Sequence, residues 1–115
     1  MNSGTLYEQG EIVLVPFPFS DLSGTKKRPV LILSKEKYNQ NTIDIITCGI
    51  TSNLKNTPSS VCITEESLCE GRIGKESRIK VDKLFTIEQT MVLKSLGKIN
   101  PATLAQVKKE FVEIM

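Results

Sequence analysis

The stretch GEIVLVPFPFSDLSGTKKRPVLILS, residues Gly10–Ser34, decides the fold of this chain. Its two apolar runs, Ile12–Val15 and Val30–Leu33, are rich in Val and Ile and are bounded by turn-forming residues, so they predict the two strands of a hairpin. The connection Ser20–Lys27 is longer than a tight turn, and connections of that kind often carry function. Arg28 stands where this connection re-enters the predicted sheet, which makes it the first candidate for a functional charge.

The bulk composition indicates one globular domain that spans residues 1–115. Hydrophobic residues make up 39% of the chain and charged residues 24%, which is an ordinary globular balance. No apolar run approaches the roughly 20 residues that span a bilayer, and the N-terminal residues lack a signal-peptide pattern, so we expect a cytoplasmic protein. The three cysteines have no C-x-x-C spacing, and Cys48 and Cys62 lie in apolar runs, where we expect them to be core residues.

The chain contains no histidine, which excludes imidazole acid–base catalysis and histidine metal sites. Any chemistry must come from Asp, Glu, Lys, Arg, Thr, Ser, Tyr or Cys, and we expect neither a metal ion nor a cofactor. The net charge is only +2, but residues 22–56 carry six basic side chains against two acidic ones. This positive region fits an anionic partner or, alternatively, an ordinary solvated surface.

The rest of the chain predicts a mainly β fold that ends in a helix. Strands are expected at Gly10–Val15, Val30–Ser34, Thr42–Ile50, Ser60–Thr64, Ser77–Leu84 and Val92–Ile99. Residues 35–41 and 65–71 are interpreted as loops or brief helices, and the capping-box spacing of Thr86–Gln89 predicts a helical turn. Asn100 and Pro101 have the pattern of an N-cap followed by proline, and apolar residues at helical spacing follow them.

Three further groups of residues are candidates for a site. Phe17 and Phe19 alternate with prolines, so an extended segment would place both rings on one face, either in the core or as a stacking surface for a base. The polar triplet Thr51-Ser52-Asn53 directly follows a buried strand. In the stretch SRIKVDKL, residues 77–84, the period of two places three charged side chains on one face, either as solvent decoration or as a row of phosphate contacts beside a carboxylate.

The chain resembles the MazF/PemK-type toxins of bacterial and archaeal toxin–antitoxin systems. The distinctive feature is the spacing from Gly10 through the Phe-Pro-Phe segment to the pair Arg28-Pro29. The resemblance continues through the strand that ends at Thr51, the stretch SRIKVDKLFTIE and the late LGKI before the terminal helix. It covers roughly residues 10–112, which is nearly the whole chain.

The resemblance implies a mainly β (α+β) fold, in which a twisted antiparallel sheet forms a small SH3-like, CcdB/PemK-type barrel with a C-terminal helix. Family members act as homodimers that cleave single-stranded RNA without a metal ion, leaving a 2′,3′-cyclic phosphate and a free 5′-hydroxyl. This sequence-selective cleavage of mRNA inhibits translation and growth. A cognate antitoxin neutralises the toxin by laying an extended acidic segment across the RNA site.

The resemblance also implies roles for individual residues. Arg28 matches the arginine of the Arg-Pro element and Thr51 matches the catalytic-site threonine, while Asp82 and Lys80 fall where some members place an acidic residue and an arginine that either catalyse or only bind RNA. Arg28 can hold a phosphate in a two-point fork, and Thr51 can hydrogen-bond a phosphate oxygen. Asp82 is then the candidate base and Lys80 the candidate acid or charge donor. Further RNA contacts are expected from Phe17, Lys26, Lys27, Ser52, Asn53, Lys55, Ser77 and Arg78.

Two other functions stay open at the level of sequence. CcdB-type toxins share the fold and poison DNA gyrase through C-terminal residues, whereas the terminus FVEIM belongs here to the predicted helix and offers no obvious gyrase-binding tail. The third interpretation is a non-catalytic SH3-like binding module, against which the presence of Arg28 and Thr51 argues.

Overall fold

Seven antiparallel strands form one sheet in the part of the chain that the computed structural model describes, residues 7–18 and 25–115. The strands are β1 Glu11–Pro18, β2 Thr25–Ile32, β3 Asp44–Thr51, β4 Ser60–Ile63, β5 Leu68–Gly71, β6 Ser77–Glu88 and β7 Lys94–Ile99. The helices are α1 Glu36–Asn41 and α2 Pro101–Glu113, and short 3₁₀ turns cover Glu65–Ser67 and Gln89–Met91. The spatial order is β4-β6-β3-β2-β1-β7-β5, and the sheet curls into a half-barrel. The predicted mainly β fold with a C-terminal helix is confirmed.

The hairpin that the sequence predicts is formed by β1 and β2, and both strands are longer than expected. Val13 lies opposite Val30, and the pairing continues to Pro18 opposite Thr25. Pro16 and Pro18 are tolerated in β1 because the pairing of β1 with β7 ends before them, at Leu14. Their missing N–H groups therefore remove no hydrogen bond to β7. Residues 19–24, which include Phe19 and much of the predicted connection, lie outside the described residues.

Both faces of the sheet bury apolar side chains. The larger cluster lies on the face covered by α2, and it consists of Ile12, Leu31, Cys48, Ile50, Val61, Ile63, Ile79, Val81, Ile99 and Val107. The smaller cluster lies on the opposite face and consists of Val13, Val15, Val30, Ile32 and Ile45. The smaller cluster borders the candidate site. It includes Val30, and Arg28 lies two residues away on the same strand and therefore shares its face.

The C-terminal helix begins as the sequence predicts. The side-chain oxygen of Asn100 accepts a hydrogen bond of 2.8 Å from the backbone N–H of Thr103, and Pro101 takes the first helical position. Val107 is fully buried against the sheet, and Leu104 and Phe111 pack beside it. This helix therefore closes the larger core.

Strand β5 was not predicted, because it is short and turns a single half-buried side chain, Leu68, inward. Its pairing with β7 depends on close backbone approach at Gly97, where an added Cβ would lie 2.5 Å from the carbonyl oxygen of Glu70. Glycine at position 97 therefore allows β5 to extend the sheet at this edge.

Two predictions from the sequence are wrong. The helical turn expected at Thr86–Gln89 is instead the end of strand β6, where residues 86–88 pair with β3, and the turn begins only at Gln89. Cys62 is exposed rather than buried, because Val61 and Ile63 take the inward positions of β4. Among the described residues, no helix has the length and apolar character needed to cross a bilayer.

The different environments of the thiols predict selective alkylation. Burial, together with the negative charge of Asp82, raises the pKa of Cys48 to about 12, so this thiol stays protonated and enclosed. Cys62 and Cys69 are exposed. We expect iodoacetamide to label the folded protein at Cys62 and Cys69 and to reach Cys48 only in denaturant, as followed by intact mass. Alkylation of Cys48 in the folded protein would contradict the buried position.

Candidate functional site

The register of three neighbouring strands brings Arg28, Thr51, Arg78 and Lys80 onto one face of the sheet. Val30 of β2 is paired with Gly49 of β3, and Gly49 is paired with Lys80 of β6. These three residues form a row across the sheet on the face of the smaller core. Gly49 has no side chain, and two side chains from β6 pack over it: an added Cβ would lie 3.5 Å from Phe85 Cε2 and 3.8 Å from Lys83 Cβ.

A second row lies two residues further along the same strands. Thr51 is paired with Arg78, and the β2–β3 register, extended by two residues, places Arg28 on the other side of Thr51. Arg28 is exposed, whereas Thr51 and Arg78 are half-buried. The sheet therefore places the arginine of the first hairpin beside the threonine at the end of β3, although the two are 23 positions apart in the chain.

Two hollows open around Arg28 and Thr51. The first, hollow A, has a volume of about 330 Å³ and is lined by Arg28, Pro29, Val30, Gly49, Ile50, Thr51, Asn53, Lys55, Thr57, Lys80, Lys83 and Phe85. The second, hollow B, has a volume of about 340 Å³ and is lined by Lys26, Lys27, Arg28, Pro29, Ile50, Thr51, Ser52, Ile73, Lys75 and Ser77. Arg28 and Thr51 line both hollows, so they lie where the two meet.

The walls of the two hollows are strongly basic. They contain Arg28 and six lysines, namely Lys26, Lys27, Lys55, Lys75, Lys80 and Lys83. None of the described wall residues is Asp or Glu. A surface with this charge attracts polyanions and repels most acidic residues of its own chain.

The hydroxyl of Thr51 is oriented by the loop that follows it. The backbone N–H of Asn53 donates to Thr51 Oγ1 over 3.1 Å, which forms a small turn at the strand end. This bond uses an acceptor site of the hydroxyl and not its hydrogen. Thr51 can therefore still donate a hydrogen bond to a ligand at the junction of the hollows.

Lys80 reaches hollow A from the neighbouring strand. Its Nζ donates to the hydroxyl of Thr57 over 2.9 Å, which holds the ammonium group against the loop after β3. Because an ammonium group has three donors, this contact leaves two of them for other acceptors. Lys80 thus joins Arg28 and Thr51 in the walls of hollow A.

Asp82 is not brought to the same place. Between Leu84, paired with Cys48, and Lys80, paired with Gly49, residues 81–83 have no counterpart on β3 and form a bulge. Asp82 is exposed in this bulge and lies outside the described walls of both hollows, whereas Lys83 enters hollow A. The alternation that the sequence predicts for β6 is interrupted at this bulge, so Asp82 does not continue the row of Lys80.

The other predicted RNA contacts divide into three groups. Hollow B includes Lys26, Lys27, Ser52 and Ser77, and hollow A includes Asn53 and Lys55. Arg78 is in neither described wall, and its side chain instead donates to Ser60 and Asn56. Phe17 is paired with Lys26 in the hairpin, and its side chain lies outside the part of the chain that is described.

Sequence reasoning missed several wall residues, of which Lys83 and Phe85 are the clearest. Lys83 lies in the bulge of β6 and Phe85 follows it, and a bulge leaves no reliable signal in a charged stretch. Phe85 is paired with Thr47, and its ring reaches Gly49 two residues further along β3, where an added Cβ would lie 3.5 Å from ring atom Cε2. The sequence feature that could have indicated Phe85 as a site residue is its aromatic side chain in a stretch rich in lysine. Within the described ranges, no three His, Cys, Asp or Glu residues gather as a group that could hold a metal ion.

Comparison with solved structures finds the same fold in several proteins. MazE–MazF from Deinococcus radiodurans aligns with a TM-score of 0.79 and 20% identity over 96% of both chains. An endoribonuclease from Mycobacterial species aligns with a TM-score of 0.76 and 18% identity over 97% of this chain and 93% of the other. A Mycobacterial endoribonuclease in complex with its cognate antitoxin aligns with a TM-score of 0.74 and 19% identity over 93% of this chain and 92% of the other. At these identities the likeness establishes the shared fold.

Sequence comparison identifies the family. No curated protein sequence matches the chain. The family model described as "PemK-like, MazF-like toxin of type II toxin-antitoxin system" matches residues 8–115, which include every strand, both helices and both rows of the site. The chain therefore belongs to the PemK-like, MazF-like toxins of type II toxin–antitoxin systems.

Proposed function

We propose that this toxin is a metal-independent, sequence-selective endoribonuclease that cleaves single-stranded RNA. The observation that carries the proposal is the position of Arg28 and Thr51 at the junction of two hollows whose described walls carry seven cations and no carboxylate. The polyanionic backbone of RNA fits such a surface, and the contacts are of the kind that bind phosphate. The solved structures named as endoribonucleases share the fold and support the same activity.

The proposed reaction uses the RNA's own 2′-hydroxyl as the nucleophile. The 2′-oxygen loses its proton and bonds to the adjacent phosphorus while the bond from phosphorus to the 5′-oxygen breaks. The leaving oxygen takes up a proton, so the products are a 2′,3′-cyclic phosphate and a 5′-hydroxyl. No water is consumed in this step, and the extra negative charge on the phosphate is what the site must stabilise.

The wall residues supply most of what this reaction needs. Arg28 binds two oxygens of the scissile phosphate through its planar guanidinium, and Thr51 donates to one of them. Lys80, which lines hollow A, is the proposed acid for the leaving oxygen or the cation that neutralises the phosphate. Asp82 stays the predicted base for the 2′-hydroxyl, although the bulge in β6 keeps it outside the described walls of the hollows.

The hollows also suggest how the nucleotides on either side of the scissile phosphate are bound. Hollow A combines the ring of Phe85 with apolar residues such as Val30, and aromatic rings stack on nucleobases. Hollow B is lined by Lys26, Lys27 and Lys75, which suit the backbone of the strand. In this arrangement hollow A selects a base, and hollow B binds phosphates without regard to sequence.

The same basic surface suits a protein partner. A cognate antitoxin with an extended acidic segment could cover both hollows and exclude RNA by competition. The solved complexes named MazE–MazF, and the Mycobacterial endoribonuclease with its antitoxin, support such a partner for this chain. The predicted homodimer and the cytoplasmic location stay predictions.

The central test is cleavage of a mixed-sequence RNA pool in the presence of EDTA. We expect cleavage by the wild type, with 2′,3′-cyclic phosphate ends detected by mass spectrometry. We expect Arg28→Ala to lose about 2–4 kcal/mol of transition-state stabilisation while it remains folded, because the exposed Arg28 side chain supports no core. Arg28→Lys keeps the charge but not the two-point fork, so it should restore only part of the activity.

Two outcomes would contradict this proposal. Intact RNA at high protein concentration over many sequences, with inhibition of gyrase supercoiling instead, would favour the CcdB-like alternative. Intact RNA without toxicity on expression would favour a non-catalytic binding module. Full activity of Arg28→Ala would remove this residue from the mechanism and leave the activity itself standing.

Replacement of Thr51 tests the proposed hydrogen bond to the phosphate. Thr51→Val keeps the shape of the side chain but removes its hydroxyl, and we expect kcat to fall by about 10²-fold, as for loss of one transition-state donor. Thr51→Ser retains the hydroxyl and should cleave at close to the wild-type rate. Equal activities of the Val and Ser variants in single-turnover assays would show that the hydroxyl does not contribute.

Replacement of Phe85 tests the base-binding role of hollow A. We expect Phe85→Leu to raise KM about tenfold and to broaden the range of cleaved sequences, because stacking contributes about 1–3 kcal/mol per base. The matched control is Tyr38→Leu, which removes an exposed aromatic ring of α1 outside the described walls of the hollows. Steady-state kinetics measure KM, and cleavage-end mapping on a defined RNA pool measures the range of cleaved sequences. An unchanged cleavage pattern for Phe85→Leu would contradict the role.

A further inference from the structure

The loop after β3 forms part of hollow A although it has no helix or strand of its own. Asn53, Lys55 and Thr57 line the hollow, and all three belong to the segment between Thr51 and Ser60. Short local bonds shape its ends: the backbone N–H of Lys55 donates to the Asn53 side chain over 3.0 Å, and the Ser60 hydroxyl donates to the carbonyl of Thr57 over 2.7 Å. Fixing the middle of such a loop requires a contact from outside it, because ordering each residue costs conformational entropy.

Arg78 provides that outside contact. Its Nε donates to the hydroxyl of Ser60 over 2.9 Å, and a terminal nitrogen donates to the side-chain oxygen of Asn56 over 3.1 Å. The two acceptors lie four residues apart in the chain, so one guanidinium group ties the middle of the loop to its end. Arg78 itself is fixed in β6 by pairing with Thr51 on one side and with Cys62 on the other.

We infer that Arg78 is a positioning residue, which holds the loop of residues 52–59 as a wall of hollow A through Asn56 and does not contact RNA. The inference rests on the proposed ribonuclease function, since the hollow must bind RNA for its wall to matter. It reassigns Arg78, which the sequence placed among the RNA contacts. The geometry supports it because the guanidinium donates to Asn56 within the loop and to Ser60 directly after it, and lies outside the described walls of both hollows.

The planar fork of arginine suits this contact better than a lysine does. A guanidinium presents several donors at fixed angles, so it can reach Ser60 and Asn56 at once, whereas an ammonium group acts as a compact point charge. Lys80 illustrates the difference, because its single described contact with the loop goes to Thr57. Arg78→Lys therefore keeps the charge of the surface but loses the two-point hold on the loop.

Salt dependence separates a positioning residue from a phosphate contact. Binding of a 2′-O-methyl RNA oligonucleotide, which cannot be cleaved, is measured between about 50 and 200 mM salt. Each phosphate contact contributes about 0.7 to the slope of log affinity against log salt for a single strand. We expect Arg78→Ala to bind more weakly than the wild type at every salt concentration with an unchanged slope. A slope lowered by about 0.7 would overturn the inference.

Cleavage kinetics test the coupling of Arg78 to Asn56. We expect Arg78→Ala and Asn56→Ala each to raise KM about tenfold with kcat nearly unchanged, and the double variant to be no worse than either, because both remove the same hold on the loop. Arg78→Lys should not restore KM. Additive effects of the two substitutions, a wild-type KM for Asn56→Ala, or full rescue by Arg78→Lys would each contradict a positioning role.

Controls separate this inference from the proposed function. Lys109→Ala removes one positive charge from an exposed site on α2, outside the described walls of the hollows, and should match the wild type in slope and KM. Asn56 is exposed in the loop, so Asn56→Ala keeps the test valid if Arg78→Ala unfolds. If the wild type does not cleave RNA, the proposed function fails; if it cleaves and Arg78 behaves as a phosphate contact, only this inference fails.

Discussion

The antiparallel register of β2, β3 and β6 is the constraint on which the site depends. Pairing of Val30 with Gly49, and of Gly49 with Lys80, sets which side chains share a face and which meet across strands. A shift of one residue on any of these strands would send its functional side chains to the face covered by α2. The apolar residues of both cores hold this register, because each strand buries side chains on alternate faces. The packing of the sheet and the geometry of the site are therefore one property of the fold.

Much of the fold could be predicted because its signals are local. The apolar runs Ile12–Val15 and Val30–Leu33, bounded by turn-forming residues, mark the strands around Arg28, and Asn100 followed by Pro101 marks the start of α2. Strand β5 escaped prediction because its pairing depends on Gly97, a residue 26 positions or more further along the chain. Long-range backbone approach leaves no pattern within the short strand itself.

The site was predictable only in part, because local patterns mark some of its residues whereas others depend on irregular or distant structure. Thr51 ends β3 and Arg28 lies within β2, and each is visible in the sequence as a polar residue close to an apolar run. The positions of Asp82 and Phe85 depend on the bulge in β6, which changes the face of every residue after it. Arg78 lies in the same row as Thr51, as the alternation along β6 implies. Its side chain, however, donates to Asn56 in the loop after β3, and the local sequence pattern does not show that this loop lies within reach.

The concentration of cations around the two hollows also has a consequence for the free protein. Seven positive side chains lie close together with no acidic residue among the described wall residues, so their mutual repulsion opposes folding whenever no polyanion is bound. A ligand that neutralises them and binds the folded state more tightly than the unfolded chain raises the stability of the fold. The basic surface of the two hollows thus lowers the stability of the free protein. A partner that covers this surface would inhibit the protein and at the same time stabilise its fold.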